Sequence, residues 1–262
     1  MKEIFIEAEK LKMSAVAVTD HDTVLGIDEE YRLSIDYNIP FIPAVEFTAL
    51  EEGLKFHVLG YNIDYNSKEL KDYSTNLMDY LNERSLKQIR MLRNSGIDIP
   101  EEEFFKESKG GPLYRAKLLR TLVRFGYLKD EDVMFSLNDY FGEGKVCYLK
   151  DEYKYNNFEE TCSLIKRNGG IVVLAHPAKI KKKNEKLYER LIQSSLIDGI
   201  ELYHPSNADI INELLSIVKQ RNLIYTGGSD YHGKNNKKLT PICGIEIPDD
   251  VYYSMKPYMK NK

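Results

Sequence analysis

Short apolar runs alternate with amphipathic segments along most of the chain. Runs rich in β-branched and other apolar residues predict strands at 15–19, 39–46, 54–60, 171–175, 199–203 and 223–226, and a further short one near 242–247. Apolar residues three and four positions apart predict helices at 2–13, 25–37, 158–167, 185–194 and 208–221. Strands that alternate with helices predict a mainly parallel sheet and a barrel-like α/β fold.

The segment 67–144 has a different pattern. Its long polar stretches at 70–96, 101–109 and 114–125 are amphipathic and contain few β-branched runs, which predicts helices. Turn-forming residues border the segment on both sides. We therefore predict a helical insertion or cap domain at 67–144, within a discontinuous barrel domain made of 1–66 and 145–262.

Histidines and carboxylates recur at or beside the ends of the predicted strands. They are His21, His57, His176 and His232, with Asp20, Asp22, Glu46 and Asp230. On one rim of a parallel sheet these carboxylates would repel one another unless cations lay among them. Mixed imidazole and carboxylate ligands suit zinc, manganese or iron, metals that polarise phosphoryl oxygens and activate water in phosphate-ester hydrolysis. The alternative, buried polar residues that only bond one another, would have to recur at every strand end.

The amino-acid composition limits the kinds of molecule that the protein is expected to bind. The chain of 262 residues carries 37 basic and 41 acidic side chains, a net charge of −4. This balance provides no general basic field for long duplex nucleic acid, so we expect a small phosphorylated substrate held locally. Cys147, Cys162 and Cys243 lack metal or redox spacing and predict buried free thiols. No membrane-length apolar run or signal peptide is found, and we expect a cytoplasmic protein.

Six segments, taken in order, resemble the motifs of the PHP-domain phosphoesterases, a family named for polymerase and histidinol phosphatase. They are Thr19–Thr23, Val45-Glu46, Phe56–Gly60, Ala175–Pro177, Gly199–His204 and Gly227–Gly233. Within that family, the helical insertion with Tyr114–Val123 and Asp139–Lys145 resembles the subgroup of RNase AM and nucleoside 3′,5′-bisphosphate phosphatases. The resemblance spans essentially the whole chain.

The resemblance implies a distorted (βα)7 barrel with up to three divalent metal ions of manganese, zinc or iron. Glu46, His57 and His176 match the ligands of one site, and Glu46 also bridges to a second that uses Asp230. His21 and His232 match ligands of the third.

The resemblance also implies a substrate pocket for nucleotides or short RNA ends. Arg115 matches an arginine that clamps a substrate phosphate, although a solvated helix charge is an equal alternative. Lys117 stands where the subgroup often has histidine and is a second candidate substrate contact. Asp20 is expected to orient His21 or line the pocket, and His204 to form its wall. Lys179 to Lys183 are expected in a solvated, lysine-rich loop.

The chain departs from the family at its beginning. The family opens with a strand that carries His-x-His followed by an aspartate, and this chain has neither, so only the site of Glu46 keeps its full matched ligand set. Either the natural protein is longer or this is a degraded copy. We expect the chain as written to be an impaired phosphoesterase. The alternatives are a catalytically silent binding or regulatory module, and histidinol-phosphate hydrolysis.

Overall fold

The computed structural model describes residues 1–108, 111–130, 133–233 and 241–258. Over these residues the chain has a mixed α/β fold with a single five-stranded sheet. The strands are β1 (Ala44–Glu51), β2 (Leu54–Tyr61), β3 (Ile171–Leu174), β4 (Gly199–Tyr203) and β5 (Ile224–Gly227). The helices are α1 (Lys2–Lys10), α2 (Ile27–Asp36), α3 (Lys68–Asn94), α4 (Glu101–Lys106), α5 (Arg115–Arg124), α6 (Val133–Phe141), α7 (Phe158–Arg167), α8 (Pro177–Lys183), α9 (Glu185–Ile192), α10 (Ile211–Arg221) and α11 (Asp249–Met255). Two 3₁₀ helices span Pro205–Ile210 and Lys256–Tyr258.

The sheet is mixed, so the prediction of a mainly parallel sheet is wrong for two of its four pairings. The strand order is β1-β2-β3-β4-β5, with β2 antiparallel to both β1 and β3, and β3, β4 and β5 parallel. Only Glu52 and Gly53 connect β1 to β2, and both have positive φ, of 51° and 75°. A two-residue turn of this kind closes a hairpin, whereas parallel strands need a long crossover.

The strand predicted at 15–19 is also wrong. Within it only one isolated parallel bridge forms, between Val16 and Phe41, and a second follows between His21 and Glu46. The ladder does not continue from Val16 to Val18, so a strand-like composition alone does not make this run a strand. The segment nevertheless runs beside the start of β1, and this places His21 next to Glu46.

Other predicted elements differ in accuracy. The predicted bounds of α7 and β4 are confirmed, and α7 begins with a capping box between Asn157 and Glu160. The short strand near 242–247 is not formed. The lysine-rich segment 179–183 belongs to α8 rather than to a loop.

The two faces of the sheet carry different side chains. Because side chains alternate along a strand, Val58, Val172 and Leu174 point into the larger apolar core, which packs against the helices. Leu59 and Val173 belong to a smaller apolar cluster on the opposite face. That second face also receives the polar residues described below.

The chain divides into two compact units. The first comprises the described parts of 1–74, 155–231 and 239–262 and contains the sheet. The second comprises the described parts of 75–154 and 232–238. Its own core is helical, with Ile89 and Leu118 fully buried. The first boundary along the chain, between residues 74 and 75, falls within α3.

The structure also tests the predictions about the cysteines and about membrane-spanning segments. Cys147 and Cys162 are buried free thiols, whereas Cys243 is exposed, which corrects the prediction that all three are buried. Among the described residues, none of the helices combines the length and apolarity needed to cross a membrane.

Candidate metal centre

Glu46 is the centre of a cluster of imidazoles. Glu46 and His57 lie within the β1–β2 hairpin, on the same face of the sheet, rather than at strand ends as predicted. Glu46 Oε1 is 2.7 Å from His57 Nδ1 and 2.9 Å from His176 Nε2. The two ring nitrogens are 3.2 Å apart. One carboxylate oxygen therefore faces two imidazoles from different parts of the chain.

His21 joins the cluster on the side of the second carboxylate oxygen of Glu46. Its Nδ1 lies 3.7 Å from Glu46 Oε2, and its ring centroid is 4.7 Å from that of His57. One ligand atom each from His21, Glu46 and His57 lie within 4.8 Å of one another, an arrangement that could hold a metal ion. The structure thus brings together four of the six predicted ligands: His21, Glu46, His57 and His176.

The cluster is electrostatically suited to binding a cation. Burial alone would raise the pKa of Glu46, but hydrogen bonds to His176 and His57, and the nearby imidazoles, lower it well below its usual range. Burial lowers the pKa of His176, despite its hydrogen bond to Glu46. An ionised carboxylate beside a neutral imidazole is the protonation state in which these groups bind metals.

The donor set fits a divalent transition metal. Imidazole nitrogens and carboxylate oxygens together suit zinc, manganese or iron more than calcium or magnesium. In addition, His176 Nδ1 is buried and has no hydrogen-bond partner among the described residues. Such an orphaned atom is unusual in a purely structural polar cluster, because buried polar groups are normally satisfied.

Asp230, a fifth predicted ligand, lies in a neighbouring group of polar residues. Its Oδ2 is 3.1 Å from Lys179 Nζ and 3.4 Å from His204 Nε2. Ser206 N–H donates to His204 Nδ1 at 3.0 Å, so a neutral His204 ring carries its proton on Nε2. The His176 and His204 rings are 5.2 Å apart in an edge-to-face arrangement, which makes His204 a wall of the cluster. Lys179, expected in a solvated loop, instead forms an ion pair with Asp230.

The two aspartates around His21 have different surroundings. Asp22 is buried, and its carboxylate accepts hydrogen bonds from Thr48 N at 2.7 Å, Thr48 Oγ1 at 2.6 Å and Tyr73 OH at 2.9 Å. Asp20 is exposed, and its backbone carbonyl accepts from Glu46 N at 3.2 Å. Asp22 therefore fixes this segment to β1, and the orienting role of Asp20 stays a prediction.

The remaining predicted site residues, Arg115, Lys117 and His232, belong to the second unit. The Arg115 guanidinium lies 5.9 Å from the centre of the Phe141 ring. Lys117 Nζ donates to the Pro112 carbonyl at 2.8 Å. Their roles in binding metal or substrate stay predictions.

Glu201 is a residue of the site that the sequence reasoning did not single out. Its Oε2 accepts a hydrogen bond from His176 N–H at 2.7 Å. Burial raises the pKa of Glu201 to about 8, although the His176 amide acts in the opposite direction. An ionisable side chain inside an otherwise apolar strand was the available signal, because such residues are seldom buried without a specific role.

Comparison with known proteins gives a consistent picture. No family model matches the chain. Three characterised relatives are each 25% identical to it. A phosphoribosyl 1,2-cyclic phosphate 1,2-diphosphodiesterase from Eggerthella lenta aligns over 94% of this chain and 93% of its own length. The 5′-3′ exoribonuclease Rnm of Escherichia coli aligns over 91% and 84%, and a 3′,5′-nucleoside bisphosphate phosphatase from Chromobacterium violaceum over 92% and 87%.

Two solved structures share the fold. One, described as a metal-dependent phosphoesterase from Bifidobacterium adolescentis, has a TM-score of 0.79 and 24% identity, and covers 99% of this chain and 91% of its own. The other is an amidohydrolase from Chromobacterium violaceum, solved with sulfate and no metal, with a TM-score of 0.76, 20% identity and the same two coverages. All three characterised relatives are named for cleaving phosphate esters. The similarity in sequence, fold and candidate ligands therefore supports an enzyme that hydrolyses phosphoric esters.

Proposed function

We propose that this protein is a metal-dependent hydrolase of the PHP type, acting on phosphate esters of nucleotides or of short RNA ends. The observation that carries the proposal is the convergence of His57 and His176 on one buried oxygen of Glu46, with His21 beside the other. Among the described residues, the side chains paired with the Glu46 carboxylate are imidazoles, and none is a lysine or arginine, which supports a cation site at this point.

Each residue of the cluster has a defined task. Glu46, His57 and His176 would hold one divalent ion, with His21 and Asp230 available to neighbouring ions and His232 a further proposed ligand. A bound metal supplies charge that stabilises a phosphoryl group and activates water. The chain itself supplies an ionised Glu46, a neutral His176 and the buried ring of His204 beside His176.

What the relatives have in common supports this substrate class. Their names describe a cyclic phosphate of phosphoribose, RNA, and a nucleoside bisphosphate, and each of these is a phosphate ester of a ribose. A planar guanidinium suits a second phosphate of such a substrate, and we assign this task to Arg115, with Lys117 as a further contact. The likeness in fold also supports a distorted (βα)7 barrel, with 67–144 inserted as a helical cap.

The test is hydrolysis by purified, metal-stripped protein to which Mn²⁺ is returned. Adenosine 3′,5′-bisphosphate, a short 5′-phosphorylated RNA and histidinol phosphate serve as substrates, and Glu46→Gln is the control. We expect Mn²⁺-dependent cleavage of one of the first two substrates by the wild type only. Cleavage of histidinol phosphate alone would favour the histidinol-phosphatase alternative. Mn²⁺ binding without any hydrolysis would favour the silent binding module.

A further inference from the structure

The backbone at His176 has a conformation that its local sequence disfavours. His176 has φ 27° and ψ 61°, in the left-handed region that non-glycine residues rarely adopt. It also precedes Pro177, whose ring pushes the preceding residue towards extended conformations. Surrounding structure must therefore hold this turn, because strained backbone persists only where its neighbours over-determine it.

Glu201 and Asn207 supply the bonds that hold it. Pro177 has no N–H, so the first amide donors at the start of α8 are those of His176 and Ala178. Glu201 Oε2 accepts from His176 N at 2.7 Å, and Asn207 Oδ1 accepts from Ala178 N at 3.2 Å. The His176 side chain provides no cap of its own. Both donors are thus satisfied by side chains from one segment, β4 and the 3₁₀ helix that follows it.

The same asparagine also fixes the segment that carries the glutamate. Asn207 is fully buried, and its Nδ2 donates to the carbonyls of Glu201 at 2.8 Å and Leu202 at 3.2 Å. Its amide group is therefore bonded at both ends, to the end of β4 and to the start of α8. Glu201 is itself only 8% exposed.

We propose that Glu201 and Asn207 are positioning residues that clamp the His176–Pro177 turn and thereby aim the His176 imidazole at Glu46. The proposal rests on the metal-binding function proposed above. Without the clamp, the turn would relax towards the extended backbone preferred before proline, and His176 Nε2 would leave its place 2.9 Å from Glu46 Oε1. Groups that orient a metal ligand in this way typically change metal affinity about 10–100-fold when removed.

The test combines amide hydrogen exchange with Mn²⁺ affinity. In the metal-free wild type, NMR should show slow exchange at His176 and Ala178, although amides at a helix start usually exchange fast. Glu201→Ala should release the His176 amide and Asn207→Ala the Ala178 amide. By calorimetry, both variants should bind Mn²⁺ about 10–100-fold more weakly. Glu201→Gln keeps an acceptor oxygen and should remain close to the wild type.

Asn168→Ala is the matched control. Asn168 is another buried asparagine of the first unit, and its Nδ2 donates to Glu69 at 2.9 Å and to the Leu164 carbonyl at 2.8 Å. Its variant should lower the melting temperature but leave Mn²⁺ affinity and the two turn amides unchanged. An equal loss of Mn²⁺ affinity in this control would overturn the proposal, since a general structural effect would then explain the clamp variants.

Three further outcomes test the clamp and the metal-binding function separately. If Asn207→Ala folds and binds Mn²⁺ with the same affinity as the wild type, the clamp is refuted. This variant alone can test the proposal if Glu201→Ala does not fold. Fast exchange at both wild-type amides would also refute it. If the amides are slow but the wild type binds no Mn²⁺, the metal-binding function fails, and with it the purpose assigned to the clamp, while the turn geometry stands.

Discussion

Glu46 and Glu201 are both buried glutamates on one sheet, yet their surroundings shift their pKa values in opposite directions. Glu46, in the hairpin region, faces imidazole nitrogens, and its pKa is lowered. Glu201, in the parallel region, receives a backbone amide, and burial raises its pKa to about 8. The difference shows that burial alone does not set the pKa of a carboxyl group. The partner groups decide whether a carboxylate is held ionised for a cation or used as a fixed hydrogen-bond acceptor.

The same substitution in both regions gives the largest predicted contrast. Glu46→Gln removes the charged donor and should reduce Mn²⁺-dependent hydrolysis by more than about 100-fold, beyond the loss typical of groups outside the ligand shell. Glu201→Gln preserves an acceptor for His176 N–H and should stay within about 10-fold of the wild type. Steady-state kinetics on whichever of the test substrates the wild type cleaves measures both. Equal losses would abolish the distinction between ligand and positioning residue.

A third buried glutamate extends the comparison away from the cluster. Glu30 is 1% exposed, and burial, together with nearby Asp20, raises its pKa from 4.5 to about 8. Below pH 4.5 both the folded and the unfolded state are protonated. Between 4.5 and 8 only the unfolded state releases the proton, so wild-type stability falls as the pH rises, and the loss is complete above 8.

Glu30→Gln should remove this dependence. The free energy of unfolding, measured in urea at pH 6, 7, 8 and 9, should rise in the variant relative to the wild type by about 2 kcal/mol up to pH 8. Above pH 8 the difference should stay constant. A difference that is the same at every pH would contradict the account of Glu30, because a neutral substitution would then act through packing rather than ionisation.

The smallest effect is expected at the ion pair between Lys179 and Asp230. Lys179 is 43% exposed in its side chain, so Lys179→Met should change the free energy of unfolding by less than about 1 kcal/mol. If Asp230 is a ligand, losing this competing cation should modestly strengthen Mn²⁺ binding in calorimetry. Weaker binding would instead place Lys179 among the groups that support the site.

Local patterns predicted those elements whose determinants are local. The capping box at Asn157 and the apolar run of β4 are visible in the sequence, and both bounds were predicted. The prediction of a mainly parallel sheet came from the alternation of strands with helices. It is wrong for β2 because the two-residue turn at Glu52 and Gly53 joins β1 to β2 with no helix between them. The segment 15–19 has the composition of a strand, but only the isolated bridge between Val16 and Phe41 forms within it, because pairing depends on the neighbouring segment as well as on composition.

The sequence predicted the residue types of the candidate site but not the backbone geometry that brings them together. His21, Glu46, His57 and His176 were named as ligands, and the structure brings them together. Their convergence depends on hairpin register and on the turn at His176, neither of which composition reveals. The role of Glu201 was missed for the same reason, since its partner amide lies 25 residues away along the chain.

Anomalous X-ray scattering from a crystal containing Mn²⁺ would test the central claim most directly. We predict an ion bonded to the Glu46 carboxylate and to nitrogens of His57 and His176, and no ion at that position in Glu46→Gln. A wild-type crystal with no ion at Glu46 under saturating Mn²⁺, or with ions bound only elsewhere, would contradict it.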